Sequence, residues 1–213
     1  MSTRGVLSAA ATVREHPRLS TAAAVLALAV LLVSLLGGWA SSRSEGAVRV
    51  AAGTEVEAAP FRVRLDEASA RLELHGDAAE EGQALVVVAG WIELTVPESV
   101  SATVLTQAFT ADLSSAYDQF GSPVEVPEPS VRVSADGVSL RGLGPGLRYD
   151  VQVTFVVDEE AVPERLSVTL LEHRLRPSAL DGDLGWFDAQ PVALVALDVT
   201  PLPTTRPEPE ALR

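Results

Sequence analysis

The segment Leu147–Asp158, LRYDVQVTFVVD, decides the fold class of this chain. Apolar residues occupy alternate positions in it, and polar residues such as Arg148 and Asp150 lie between them; Val156 is the one departure. Successive side chains of a β-strand point to opposite faces, so this pattern predicts a half-buried antiparallel strand. The turn sequence GLGPG at Gly142–Gly146 comes directly before it and marks where the strand begins.

Other segments on both sides of this strand are also patterned as strands. Phe61–Leu65 alternates apolar and charged residues, whereas Ala84–Val96 is at first apolar on both faces, as in a strand buried inside a two-layer structure. Ala102–Leu113 fits either a helix or, from Val104, a strand, and Asp136-Gly137 predicts a hairpin turn. The remaining predicted strands are Ala47–Val50, Arg71–His75, Val131–Ser134, Val138–Arg141, Leu166–Leu175 and Pro191–Thr200.

Seven to nine short strands separated by turns, with no convincing amphipathic helix, predict an all-β domain. The expected fold is an antiparallel immunoglobulin-like β-sandwich. Trp91, in the most hydrophobic of these strands, is interpreted as a core residue. The sandwich is predicted to occupy residues 60–200, followed by a disordered Pro-rich tail at 201–213.

An uncharged apolar stretch, TAAAVLALAVLLVSLLGGWA at Thr21–Ala40, precedes the domain. A helix of about 20 residues spans the roughly 30 Å hydrocarbon core of a bilayer, so one transmembrane α-helix is predicted here. Three arginines and one acid lie in residues 1–20, which favours a cytoplasmic tail, an outside C-terminal domain and a juxtamembrane linker at 41–59. The expected location is the cytoplasmic membrane; a cleaved signal peptide with a secreted domain is the alternative.

Composition excludes several classes of function. The chain has no Cys, so disulfide frameworks and thiolate metal sites are excluded. The residues after the apolar stretch carry 13 arginines against 28 acids, and the chain as a whole has a net charge of −13. Binding to phosphates requires clustered cations, so neither nucleic acid nor an anionic lipid surface is an expected partner.

The tract from Leu143 to Val168 combines a Leu-Gly-Pro-Gly turn, the alternating strand containing Val153–Val157, an acidic loop with Pro, and the strand that begins Leu166-Ser167-Val168. This arrangement resembles the bacterial immunoglobulin-like domains of unknown function found on exported and membrane-anchored envelope proteins, including an immunoprotective extracellular antigen. The resemblance extends over about residues 53–175. It implies a fold and an extracytoplasmic location, and it brings no catalytic residues.

The loop Asp181–Asp188, DGDLGWFD, is the candidate functional site. Its carboxylates, Asp181, Asp183 and Asp188, are oxygen ligands of the kind that Ca²⁺ prefers, although the spacing is not that of an EF-hand. Trp186 and Phe187 are predicted to form an aromatic interaction surface. The competing interpretation is a loop whose aromatic residues cap the end of the sandwich core.

No signature of a catalytic nucleophile, a zinc site or a phosphate-binding loop is present, and no catalytic residue or cofactor is predicted. His75 and His173 are interpreted as ordinary surface or strand-face histidines. The function expected is non-enzymatic protein or envelope interaction, with an accessory subunit of a membrane complex as one form of it. Two alternatives are an envelope polysaccharide hydrolase using acids of Asp181–Asp188 and a calcium-dependent carbohydrate-binding module.

Overall fold

The computed structural model describes residues 46–118 and 120–203, which form mostly β-strands. A short helix, α1, and a 3-10 turn, Glu159–Ala161, lie between strands. The elements are β1 (Val48–Ala51), β2 (Glu55–Ala58), β3 (Phe61–Arg71), β4 (Glu73–Leu74), β5 (Asp77–Ala78), β6 (Gln83–Leu94), β7 (Val100–Ser101), α1 (Ala102–Thr106), β8 (Phe109–Ala111), β9 (Ser130–Val133), β10 (Gly142–Leu143), β11 (Arg148–Asp158), β12 (Arg165–Pro177) and β13 (Leu184–Thr200).

Nine of the strands form two sheets that pack face to face as a β-sandwich and are linked through β13, while β4 pairs with β5 and β7 pairs with β10 in two separate short sheets. The first sheet contains β2, β3, β6, β11 and β9, and the second contains β1, β13, β12 and β8. Both sheets contribute alternate side chains to one apolar core. The largest core residues that are almost completely buried include Phe61, Leu65, Ile92, Leu94 and Phe155 from the first sheet and Leu166, Leu170 and Leu197 from the second.

Two of the strand pairings are parallel, so the prediction of an antiparallel sandwich is only partly correct. Strand β1 runs parallel to the middle of β13, and the last residues of β13 run parallel to β3, with Val199 opposite Ala68. Hairpin loops force neighbouring strands to be antiparallel, whereas these pairs are far apart in the chain and no short loop sets their direction. β13 thereby joins the two sheets at one edge.

Most of the predicted strands are present, with shifted boundaries, but Val138–Arg141 forms no strand and only Ser139 makes an isolated bridge, to Arg132. The described part of the predicted linker 41–59 contains β1, close to the predicted strand Ala47–Val50, and also β2, which the sequence did not indicate. Ala102–Leu113 divides into α1 and β8. β13 begins at Leu184 instead of Pro191, so the predicted loop Asp181–Asp188 lies partly within a strand. The sequence did not indicate this because Gly185 and Asp188 favour turns when they are considered locally.

Strand β6 is apolar on both faces because parts of its outer face are also covered. Leu85 and Val87 pack with Leu74 of β4 in a small second cluster on that side. Trp91 is buried, as expected of a core residue, but it points outward opposite Arg64 and is not part of the core between the two sheets. The residue is only 3% exposed, because two arginines cover its ring: the guanidinium carbon of Arg148 lies 3.7 Å from the ring centroid and that of Arg64 lies 5.6 Å from it.

Among residues 46–118 and 120–203, no helix has the length and apolar character needed to cross a membrane. The predicted span Thr21–Ala40, the predicted tail 1–20 and residues 204–213 lie outside the described residues. Pro201–Pro203 are described and have no regular structure, and Leu202 packs against the core.

A close backbone approach beside the β3 bulge leads to a stability prediction. A Cβ on Gly90 would overlap the carbonyl oxygen of Arg64, at the point where the register shifts between Leu65 and Glu67. We expect Gly90→Ala to lower the free energy of unfolding by about 1–3 kcal/mol, because a rigid backbone must move. Chemical denaturation of the two proteins measures this. Gly144→Ala is the control, because the atom nearest to the added Cβ belongs to the flexible Leu147 side chain. A decrease in unfolding free energy as large as that of Gly90→Ala would contradict the explanation.

Candidate interaction site at the tip of the β12–β13 ribbon

The distal parts of β12 and β13 form a two-stranded ribbon. Cross-strand pairs continue from Arg174 opposite Phe187 to Pro177 opposite Leu184, beyond two register shifts in β12. Within the described residues, β1 and β8 pair only with more central parts of these strands. The ribbon therefore extends past the sheet that carries it, and residues 178–183 form its tip.

One face and the tip of the ribbon are apolar and exposed. Leu175 lies opposite Trp186, and Pro177 lies opposite Leu184, so these side chains share a face. Leu175 is 47% exposed, Leu184 70% and Leu180, at the tip, 98%. Large apolar side chains that are gathered and solvent-exposed mark interaction sites more often than isolated ones do. We call Leu175, Leu180 and Leu184 the leucine tip.

The tip is held by local hydrogen bonds. The Ser178 N–H donates to the Asp183 carbonyl at 2.7 Å, and the Gly182 N–H donates to the Ser178 carbonyl at 3.0 Å. The Asp183 N–H donates to Asp181 Oδ1. The Ser178 hydroxyl and then this N–H lower the pKa of Asp181, because both hydrogen bonds favour the charged carboxylate. These bonds hold the loop that presents Leu180.

The Asp188 carboxylate forms an ion pair with an arginine of the neighbouring strand. Arg176 forms two hydrogen bonds with it, Nε to Oδ2 at 2.5 Å and Nη2 to Oδ1 at 2.9 Å. The Arg176 hydrogen bond lowers the pKa of Asp188, and the same contact raises the pKa of Arg176. Asp188 has a positive φ of 55°, a conformation that Asp tolerates better than most residues.

The structure does not gather the three predicted metal ligands into one cluster. Asp181 and Asp183 lie at the tip, whereas Asp188 lies on β13 and is paired with Arg176 of β12. No group of three or more His, Cys, Asp or Glu residues suitable for a metal ion occurs in residues 46–118 and 120–203. Calcium binding by this segment stays a prediction.

Trp186 and Phe187, the predicted aromatic surface, are half-buried and point to opposite faces of the ribbon. Trp186 packs against the sandwich core. The Phe187 ring lies under Arg176, with 4.6 Å from the guanidinium carbon to the ring centroid, and it occupies the space beside Gly185. The exposed apolar residues of the ribbon are the leucines. The sequence does not mark these leucines as exposed, because a Leu at the end of a strand pattern, such as Leu175, or in a loop-like stretch of sequence, such as Leu180 and Leu184, has no local signature of exposure.

The two histidines lie in different environments. His75 is exposed in the turn between β4 and β5, and its Nε2 lies 2.7 Å from Gln152 Oε1. His173 lies on a strand face, β12, as one of the two interpretations expected, but at 3% exposure it is buried and is not a surface residue. A register shift between Glu172 and Arg174 turns it inward. Neither ring nitrogen of His173 has a hydrogen-bond partner in the described part of the chain.

Comparisons with known proteins give structural similarity only. No protein-family model matches the sequence, and no curated protein matches it. A similar solved structure is an uncharacterised β-sandwich protein of Clostridium difficile 630, with a TM-score of 0.45, 12% identity, and coverage of 74% of this chain and 97% of that one.

Two further structures are more distant. A candidate lipoprotein of Bacillus subtilis subsp. subtilis str. 168 has a TM-score of 0.37 and 13% identity, covering 69% of this chain and 39% of that one. A conserved hypothetical protein of Bacillus anthracis has a TM-score of 0.32 and 15% identity, covering 55% of this chain and 87% of that one. No activity or partner is carried over from these proteins.

The burial of His173 leads to a prediction about pH. Burial lowers its pKa from the usual 6.5, because the imidazolium is poorly solvated in the core. The unfolded chain therefore takes up a proton at pH values where the folded chain does not. The stability associated with neutral His173 is present above pH 6.5 and is lost as the pH falls from there towards the folded-state pKa.

We expect the melting temperature of His173→Leu to fall less between pH 7.5 and about 5.5 than that of the unsubstituted chain. Thermal denaturation across this range gives the slope of melting temperature against pH for each of the two proteins. His75→Gln is the matched control, because it removes an exposed histidine. Equal slopes for His173→Leu and the unsubstituted chain would show that His173 does not contribute.

Proposed function

We propose that this chain is a non-enzymatic, single-pass membrane protein that binds a protein partner through the leucine tip of an extracytoplasmic β-sandwich. The N-terminus lies in the cytoplasm and residues 46–203 lie outside. The domain is of the exported immunoglobulin-like type, and the chain acts as an accessory subunit of a membrane or envelope complex. The exposure of Leu175, Leu180 and Leu184 at the end of the ribbon is the observation that carries this proposal.

A protein surface fits the leucine tip better than a lipid surface does. Charged residues of both signs lie next to the exposed leucines along the chain: Arg174 and Arg176 on β12, and Asp181 and Asp183 at the tip. Apolar residues accompanied by charges of both signs are typical of protein interfaces. Attraction to an anionic bilayer requires clustered cations, and the chain carries a net charge of −13. The ribbon is also preorganised by its hydrogen bonds, which reduces the entropy lost on binding.

The membrane topology can be tested by cysteine labelling, because the chain has no Cys of its own. We expect Ala135→Cys, at an exposed turn, to react with a membrane-impermeant maleimide on intact spheroplasts. Ser8→Cys should react only after lysis, because the tail is on the cytoplasmic side. Mass spectrometry of the purified product distinguishes the anchor from the signal peptide. Loss of the first 40 residues, or labelling of both sites on intact spheroplasts, would contradict the proposed topology.

The leucine tip can be tested by photo-crosslinking in native membranes, with a photoreactive residue replacing the exposed Ala179. We expect defined adducts that disappear when Leu175, Leu180 and Leu184 are all changed to Gln. Folding should be little affected, because substitution at an exposed position usually changes stability by less than about 0.5 kcal/mol.

The matched control for this experiment changes Val138 and Leu147 to Gln. These side chains are 59% and 55% exposed and lie outside the ribbon. The control should keep the adducts. Retention of the same adducts by the triple Gln variant would show that the leucine tip is not the binding surface.

A further inference from the structure

A cavity of about 550 Å³ opens on the outer face of the first sheet, independently of the ribbon. Its floor includes Thr154 and Val156 of β11 and Leu85 of β6. The short hairpin β4–β5, the helix α1 and residues 117–118 and 128–132 form its walls. Cavities that hold small molecules have volumes of about 300–1,000 Å³, so this one has the size of a ligand site.

Thr154 gives this cavity a chemical feature that packing does not explain. Its side chain is 7% exposed, and its hydroxyl oxygen has no hydrogen-bond partner in the described part of the chain. Val87 lies opposite it on β6, so a Val at position 154 would pack equally well there. Burying an unpaired hydroxyl costs free energy. The oxygen has less than 1 Å² of accessible surface, so it bonds to a ligand in the cavity after rotation of the side chain about χ1, and this bond recovers the cost.

The charges around the cavity determine which sign of charge is favoured on a ligand. Arg132 is the one cation among the lining residues, and its Nη1 lies 2.5 Å from Asp77 Oδ2, which compensates its charge. Asp118 and Glu128 also line the cavity, and neither forms an ion pair within the described residues. Asp118 Oδ1 accepts the N–H groups of Phe120 and Ser122. Two carboxylates without cations favour a positively charged ligand.

We propose that the cavity binds an ammonium group on an aliphatic chain. The methylene groups lie against Leu85 and Val156, the Thr154 hydroxyl accepts a hydrogen bond from the ammonium, and Asp118 and Glu128 provide the opposite charge. A free aliphatic amine and the side chain of a lysine in another protein share this chemistry. This site and the leucine tip are on different strands, so either can be disproved without the other.

The test is a titration of the full-length chain in mild detergent at fixed ionic strength, observed through protein NMR chemical shifts. The probes are 1,5-diaminopentane, its neutral analogue 1,5-pentanediol, its anionic analogue glutarate and the peptide acetyl-Gly-Lys-Gly-amide. We expect the diamine to shift signals from the cavity residues in a saturable way and glutarate to shift none. Tighter binding of the peptide than of the diamine identifies a lysine side chain as the source, and the reverse identifies a free amine.

Thr154→Val tests the role assigned to the hydroxyl. It should weaken diamine binding by at least about tenfold, as expected for loss of a hydrogen bond to a charged group. Its melting temperature should equal or exceed that of the unsubstituted chain, because no native bond is lost. Thr169→Val, on the second sheet, is the matched control and should bind normally.

Glu128→Gln tests the role of the negative charge and should weaken binding of the diamine several-fold. Glu125→Gln is its control, because Glu125 is in the same loop but does not line this cavity, and it should leave diamine binding unchanged. The proposal is overturned if Thr154→Val binds the diamine as tightly as the unsubstituted chain. It is also overturned if pentanediol or glutarate binds as well as the diamine.

Discussion

The register of β6 between β3 and β11 is the constraint on which the rest of the sandwich depends. β6 pairs with β11 along eleven residues and with β3 on its other side. A slip of one residue would turn Val86 and Ile92 out of the core, because side chains alternate between the faces of a sheet. The β3 bulge accommodates the close approach of Gly90, and it restores the alternation so that both Leu65 and Ala68 point inward.

The outer face of the first sheet shows how a two-layer fold covers a strand that is apolar on both sides. At one end, β4 folds over Leu85 and Val87. At the other end, Arg148 and Arg64 cover Trp91, and Arg148 also pairs with Glu93, with 3.1 Å between Nη2 and Oε2. Thr154 and the cavity lie beside the first of these coverings, where β11 pairs with Leu85 and Val87. Within the described residues no third layer of secondary structure covers the whole of this outer face. The arginine covering and the cavity both result from this.

Strand β13 connects the fold to the candidate site. Its last residues pair with β3, its middle pairs with β1 and β12, and its first residues belong to the ribbon. The core therefore anchors the ribbon through 13 residues of β13 that follow Phe187, while its tip remains exposed. A surface built on a strand that belongs to both sheets is held more rigidly than one on a loop, which favours its use in recognition.

The local sequence pattern was sufficient to predict most of the long strands, but it was not sufficient to predict the candidate sites. Alternation in Leu147–Asp158 and in Phe61–Leu65 predicted strands and their buried faces, because side-chain direction in a strand follows sequence position alone. The all-β class followed from the turns between them, whereas the described residues contain thirteen strands instead of the seven to nine predicted. The exposure of Leu180, the burial of His173 and the Arg176–Asp188 pair depend on register shifts and on residues distant in the chain, so only the tertiary structure decided them. Periodicity gives the face on which a side chain lies; whether another part of the chain covers that face is decided by folding in three dimensions.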